Sequence, residues 1–179
     1  MRIENKLNYK YRLLILISLV TIVLARPLIA TNLEYNVERV EHNFNHPWSS
    51  ATLPNGDILV TELIGKIKRI DIKTREVIDI NGIPNVLFRG QGGLSDIILH
   101  PEFEKNNIVL ISFSYGEKNK NTLKVISAEL IRNELINKKI IFEATPYRKS
   151  SNHYGARLVF LNDNSLSLIH TSRCRRLLT

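Results

Sequence analysis

Leu53-Pro54-Asn55-Gly56-Asp57-Ile58-Leu59-Val60-Thr61-Glu62-Leu63 reads as the end of one strand, a tight turn and a second strand. Pro54 presets the backbone for the first corner of a turn, and Gly56 can take the positive φ on which such a turn closes. Working outward, Trp48 to Leu53 is the strand that enters the turn and Asp57 to Leu63 the one that leaves it. Beyond Gly65, Lys66 to Asp71 alternates polar and apolar residues as a strand wet on one face does. Its Lys66, Lys68 and Arg69 read as a solvated face. Glu76 to Ile80 follows a polar turn, which makes four short antiparallel strands in a row.

The unit recurs. Gly93 to Leu99, Ile108 to Ser114, Thr122 to Leu130 and Lys138 to Phe142 form a second set of four strands. A third set opens with Arg157 to Leu161, a turn at Asn162-Asp163-Asn164, and Ser165 to Ile169. The strand-to-turn points at Leu53, Leu99 and Leu161 lie 46 and 62 residues apart, near the ~40–50 residues of a propeller blade once loop insertions are allowed. The pattern predicts an all-β chain: about two blades and the start of a third, with an ordinary sandwich as the alternative. In a ring, the inner strand of each blade lines a central channel. Rings close with roughly 4–8 blades, so the sequence reads as a portion of something longer.

Composition sets the bounds. The chain has 179 residues, 44% apolar and 23% charged, which excludes collagen, coiled coil and wholesale disorder. A single cysteine, Cys174, excludes a disulfide framework and a zinc site of paired thiolates. The net charge of +8 sits at the ends, with +3 in residues 1–12, +3 from Arg173, Arg175 and Arg176, and only +2 between. A body so nearly neutral offers no electrostatic footprint for a phosphate backbone, so no nucleic-acid partner is expected. Arg2, Lys6, Lys10 and Arg12 precede an apolar run from Leu13 to Ala25. As a helix that run reaches ~20 Å, short of the ~30 Å hydrocarbon core. Residues 1–30 therefore read as a signal peptide, cleaved after Ala25 or Ala30, and the body as periplasmic or secreted. The alternative is an uncleaved anchor from Leu13 to Ala30 with Arg26 snorkelling, the one case in which a membrane would be a partner. The expected layout is 1–30 signal peptide, 31–172 partial propeller and 173–179 a basic tail without strand alternation.

Two segments carry candidate chemistry. Phe88-Arg89-Gly90-Gln91-Gly92-Gly93-Leu94-Ser95-Asp96 sits ahead of the second inner strand. Its three glycines let the backbone come close to a bound molecule, and the Gln91 amide both donates and accepts. It lacks the spacing of a dinucleotide fingerprint, and a plain inter-blade turn is the alternative. Lys149 to Val159 occupies the equivalent place ahead of the third blade and contains His153. An imidazole with an ordinary pKa of ~6.5 suits a general base near neutrality, although a histidine in a polar loop is often merely exposed. Both segments would open at the same mouth of the channel. His46 and His100 each precede a proline and read as framework; His42, His170 and Cys174 have no evident role, and no metal-ligand spacing is present.

The order His46-Pro47-Trp48-Ser49, Leu53 to Glu62, Gly65-Lys66-Ile67, Gly90 to Asp96, Leu99-His100-Pro101-Glu102-Phe103 and Ser151 to Phe160 resembles the glucose/sorbosone dehydrogenase family, from about Val37 to Phe160. The resemblance implies an exported, PQQ-dependent aldose sugar dehydrogenase built as a six-bladed β-propeller, of which this chain matches the N-terminal portion. It implies a quinone over the channel mouth, a calcium ion polarising its carbonyl, and oxidation of a sugar's anomeric hydroxyl to a lactone. By motif match, His153 falls at the general base, Gln91 at a glutamine that approaches cofactor and substrate, and Asn152 at a cofactor-side position. Asn152 is the residue of the aldose-dehydrogenase-like branch, where other members carry aspartate. Ala156 replaces a common glycine. Past Leu166 the chain departs from the pattern, and the calcium ligands, the basic residues for the cofactor's carboxylates and the substrate wall belong to later blades. The resemblance thus predicts an inactive, poorly folded fragment; the alternative is a non-catalytic exported binding module that pairs its open edge with another chain.

Overall fold

The computed structural model describes residues 14–18, 35, 37, 39 and 43–169, and the backbone of 175–178. Residues 14–18, inside the apolar run of residues 13–25, are helical, and Ser18 Oγ donates to the Ile15 carbonyl (2.9 Å). Both expected cleavage points, His42, His170 and Cys174 lie outside the described residues. Among the described residues no helix is long and apolar enough to cross a membrane.

The described residues from 43 on are built mainly of strands. β1 (Pro47–Thr52), β2 (Ile58–Glu62), β3 (Lys66–Ile70) and β4 (Val77–Asp79) form one antiparallel sheet in chain order. β5 (Leu94–Leu99), β6 (Ile108–Glu117), β7 (Lys120–Ile131) and β8 (Glu134–Glu143) form a second. β9 (Arg157–Phe160), β10 (Leu166–Ile169) and β11 (Arg175–Leu178) form a third. The turn that decides the first hairpin is as expected: Gly56 has φ 92, and the Leu53 and Asp57 backbones close it (2.7 Å). In register, Ser50 faces Val60, Val60 faces Lys68, Ile97 faces Ile111 and Leu158 faces Leu168. A one-turn helix, Phe103–Asn106, fills the β5–β6 connection. Three successive four- or three-stranded meanders, stacked through their first strands, make this a partial β-propeller.

The core explains why the strands differ in pattern. One apolar layer joins Leu59, Ile67 and Ile80 of the first sheet to Ile97, Val109, Ile111, Phe113, Ile126 and Ala128 of the second. Another joins Leu110, Leu123 and Val125 on the opposite face of the second sheet to Leu158, Leu166 and Leu168 of the third. The second sheet is therefore covered on both faces, and β6 reads as a nearly continuous apolar run instead of an alternating one. Each buried Leu, Ile or Val contributes about 1.5–3 kcal/mol over its exposed state.

A single carboxylate ties the three blades together. Asp96, fully buried on β5, accepts from Ser49 Oγ of β1 (2.5 Å) and from the Leu158 N–H of β9 (2.7 Å). Arg157 adds an ion pair at 3.2 Å. The Asp96 N–H donates to Ser112 Oγ (3.0 Å), which in turn donates to the Ala156 carbonyl (2.5 Å). Such a group is tolerable in a core because both carboxylate oxygens are hydrogen-bonded; among the described residues no buried side-chain nitrogen or oxygen lacks a partner. Gly93 completes the first joint, since a Cβ there would lie 2.4 Å from the Leu63 carbonyl oxygen.

Two expectations change. Arg69 and Lys68 are not a plain solvated face: Arg69 pairs with the buried Asp57 (2.7 Å), and Lys68 pairs with Asp79. Burial pushes the Asp57 carboxyl up, but hydrogen bonds from Asn55, Arg69 and the Ile72 N–H, with the Arg69 charge, outweigh it and hold the group below its ordinary value. Residues Arg175–Leu178 pair with β10 although their sequence shows no alternation; an edge strand is held by backbone groups that every residue type supplies.

Replacing Asp96 by Ala leaves the Leu158 N–H and Ser49 hydroxyl without an acceptor. It is expected to lower stability by about 2–4 kcal/mol, with Ser49→Ala costing about 1 kcal/mol; urea unfolding followed by Trp48 fluorescence measures both. Because the folded Asp57 carboxyl titrates below its unfolded value, its contribution is present above pH ~4 and fades as pH falls through the folded pKa. Asp57→Asn flattens that part of the acid unfolding curve.

Candidate active site

Two inter-blade loops lie side by side. Residues 80–93 run from β4 to β5, and residues 144–156 run from β8 to β9. The Gln91 N–H donates to the Ser151 carbonyl (2.9 Å), and the His153 N–H donates to Gln91 Oε1 (2.9 Å). Gln91, Asn152 and His153 are all exposed on this rim. The Gln91 side chain and the His153 backbone, 62 residues apart, are thus joined by one hydrogen bond.

The glycines do something other than open space for a ligand. A Cβ at Gly90 would stand 2.7 Å from Ser151 Oγ and 2.8 Å from the Ser151 carbonyl oxygen. One at Gly92 would stand 2.7 Å from both Ser114 Oγ and Tyr154 Cε2. On the side where a Cβ would project, Gly90 meets Ser151 of the neighbouring loop, and Gly92 meets Tyr154 of that loop and Ser114 of β6.

His153 has φ 57, a left-handed conformation that costs a non-glycine residue about 1–2 kcal/mol. Its carbonyl accepts from Arg148 Nη1 (3.0 Å). Arg148 stacks over the Tyr154 ring at 4.3 Å, and Tyr154 OH donates to Asn121 Oδ1 (2.7 Å). Burial pushes the Tyr154 phenol up, and the charges of Arg148 and Arg89 pull the other way. The Asn152 N–H donates to Ser150 Oγ at 3.3 Å, and its side-chain oxygen lies close to Gly90.

The β6–β7 hairpin tip closes a neighbouring cleft of about 540 Å³, lined by Asn85, Leu87, Tyr115, Lys120 and Tyr147 among others. It is tied to both loops, since Arg89 Nη1 donates to the Lys118 carbonyl (3.0 Å) and Asn121 pairs with Arg148 through their backbones (2.8 and 2.9 Å). Tyr147 OH donates to Glu143, which also pairs with Lys124 (3.3 Å). The Glu143 bond, with some desolvation, pushes the Tyr147 phenol up to about 12, and the same bond lowers Glu143.

Sequence reasoning assigned no chemistry to Trp48 or Arg157, which meet where the inner strands begin. The Arg157 guanidinium lies 5.0 Å from the Trp48 ring centre, beside a cavity of about 370 Å³. Their signal was present in the His-Pro-Trp and Gly-Ala-Arg runs. His46 and His100 have framework contacts: the His46 ring packs edge-on to Phe88 (5.3 Å) and the His100 ring to Phe160 (5.5 Å). Among the described residues no three His, Cys, Asp or Glu side chains gather as a metal site.

With this geometry, comparison with known proteins is informative. The model of the family described as Glucose / Sorbosone dehydrogenase matches residues 44–176. It starts later than the resemblance read from the sequence and runs further, through Arg173 and Arg175. An uncharacterized protein of Synechocystis sp. is 36% identical over 129 residues, which cover 68% of this chain and 31% of that protein. Aldose sugar dehydrogenase YliI of Escherichia coli is 31% identical over 145 residues, covering 78% of this chain and 38% of YliI. The PQQ-bound form of an aldose sugar dehydrogenase from Streptomyces coelicolor superposes with TM-score 0.62 and 28% identity, over 75% of this chain and 40% of that one. The chain thus spans about a third of the length of the curated relatives it matches.

The rim suits a flat, polar quinone in part. The Gln91 and Asn152 amides and the His153 imidazole are exposed on it. The Gln91 oxygen is already used by His153, which leaves its NH₂ group as a donor.

Gly92→Ala is expected to force the loops apart and cost about 1–3 kcal/mol, read by thermal unfolding. In an alkaline spectrophotometric titration one of the six tyrosines should ionise at about 12, and Glu143→Gln should return it toward ~10. The phenol holds its proton more tightly in the folded state, so its contribution is present below pH ~10 and is lost as pH rises to about 12.

Proposed function

This chain belongs to the glucose/sorbosone dehydrogenase family, and we propose that it carries the base-bearing part of the active site of a PQQ-dependent aldose sugar dehydrogenase. The observation that carries this reading is the contact between Gln91 and His153 on the exposed rim of the inter-blade loops (2.9 Å). The names of the E. coli and S. coelicolor relatives support the substrate class and the cofactor.

In this reading the His153 imidazole accepts the proton of the sugar's anomeric hydroxyl, a step that positioned bases accelerate by about 10²–10⁴-fold. The Gln91 NH₂ group and the Asn152 amide hold polar atoms of cofactor and sugar, while the Gln91 oxygen keeps the His153 backbone in place. Bound PQQ would supply the acceptor for the hydride, so that the sugar leaves as a lactone. Calcium would need donors other than a trio of acidic, histidine or cysteine side chains, since none is found among the described residues.

The reading extends to the chain as a whole. We place a signal peptide at 1–30 and the partial propeller from 31 on, with the edge strand Arg175–Leu178 as part of it, and the body exported to the periplasm or secreted. Turnover, in this account, requires parts of the relatives that this chain does not span, because a base alone lacks the electrostatic and positioning contributions that dominate such rates.

Two measurements test it. The full chain, given PQQ, calcium and glucose, is expected to reduce no dye above background; a rate like that of a full-length relative contradicts the incomplete-site reading. Residues 44–169 of this chain, grafted in place of the matching segment of the E. coli aldose sugar dehydrogenase, should support PQQ-dependent dye reduction. His153→Ala in that chimera should lower kcat by roughly 10²–10⁴-fold, and an unchanged kcat would remove His153 from the base role.

A further inference from the structure

We infer that Arg148 is a positioning residue for His153 and that, together with Gln91, it clamps the His153 peptide from both sides. This rests on His153 being the base. The histidine is left-handed at φ 57, a state that persists only where its surroundings hold it. Both of its backbone polar groups are engaged by side chains from elsewhere: the N–H by Gln91 Oε1 (2.9 Å) and the carbonyl by Arg148 Nη1 (3.0 Å).

Arg148 is itself fixed three times over. Its N–H donates to the Asn121 carbonyl (2.8 Å), its carbonyl accepts from the Asn121 N–H (2.9 Å), and its guanidinium carbon lies over the Tyr154 ring, 4.3 Å from its centre. The Tyr154 hydroxyl returns to Asn121 Oδ1 (2.7 Å), and Asn121 is fully buried on β7. The backbone of His153, from which the exposed imidazole projects, is thereby tied to β7 of the middle blade through the Arg148 guanidinium. A guanidinium can stack on an aromatic face and donate in its own plane at once; an ammonium cannot. Gln91 supplies the other jaw, so its role lies at least as much in holding His153 as in touching a ligand.

The test uses ¹⁵N-labelled full chain and follows amide hydrogen exchange at His153 together with its imidazole signals. Arg148→Ala and Gln91→Leu should each speed His153 exchange roughly tenfold or more, as expected when one hydrogen bond that restrains a local opening is lost. Amides in the β6–β7 pairing, such as Ile111 and Val125, should exchange as before. Gln91→Glu, which retains an acceptor for the His153 N–H, should stay near the unsubstituted rate, and Arg148→Lys should fall between Arg148 and Ala. In the chimera, Arg148→Ala should lower kcat about 10–100-fold with little change in KM. Unchanged exchange and imidazole signals in both Arg148→Ala and Gln91→Leu would overturn the clamp, as would a rise spread evenly through β6 and β7. If instead His153→Ala left the chimera active, the base reading would fail while the exchange results still judged the clamp.

Discussion

The Asp96 carboxylate is the constraint on which the rest of this structure depends. It leaves the inner strand of the middle blade and takes a hydroxyl from the blade before it and a backbone N–H from the blade after it. Burying a charge is costly unless it is paired and hydrogen-bonded, so the carboxylate favours the arrangement of the three inner strands in which both its oxygens are bonded. That arrangement sets where β9 begins, and so where the loop ahead of β9 lies against the loop ahead of β5. Apolar packing supplies most of the stabilisation through the two layers on either side of the second sheet, but it is far less directional. The carboxylate provides the register.

The rim follows from that register by close contact. Gly90, Gly92 and Gly93 stand where any side chain would collide with the neighbouring loop or blade. Their absent side chains allow backbone-to-backbone bonding between segments far apart in sequence, and the Gln91 amide finishes the joint by accepting the His153 N–H. A histidine in an unfavourable backbone conformation is then held by groups that trace back to β7. The backbone of an exposed residue in a polar loop gains a defined place in this way.

Much of this was legible in the sequence. Period-two patterning and the Pro54-Asn55-Gly56 turn disclose the first meander, and its recurrence discloses the blades. The pairing of the Gln91 and His153 loops follows from their equivalent places ahead of inner strands. Asp96 was not legible, because one acidic residue among alternating strand residues looks the same whether it faces water or three blades. Arg69 hid for a similar reason: a cation on a wet-looking strand gives no sign that a buried Asp57 lies beside it. Arg148 was passed over because its partners, Tyr154 and Asn121, depend on a loop crossing over a hairpin. The glycines were read as a place for close approach by a ligand, and nothing in the sequence signalled that Ser151, Tyr154 and Leu63 also pack against them. The strand at Arg175–Leu178 is held through its backbone, so side-chain alternation could not announce it.

The most direct measurement is the nuclear Overhauser contact between the His153 amide proton and the Gln91 side chain, recorded in the unsubstituted chain and in Asp96→Asn. The account predicts the contact in the unsubstituted chain and its weakening or loss in Asp96→Asn, with contacts across the β6–β7 pairing preserved. Its absence from the unsubstituted chain, or its persistence at full strength in Asp96→Asn, would contradict the claim that one buried carboxylate brings the two loops together.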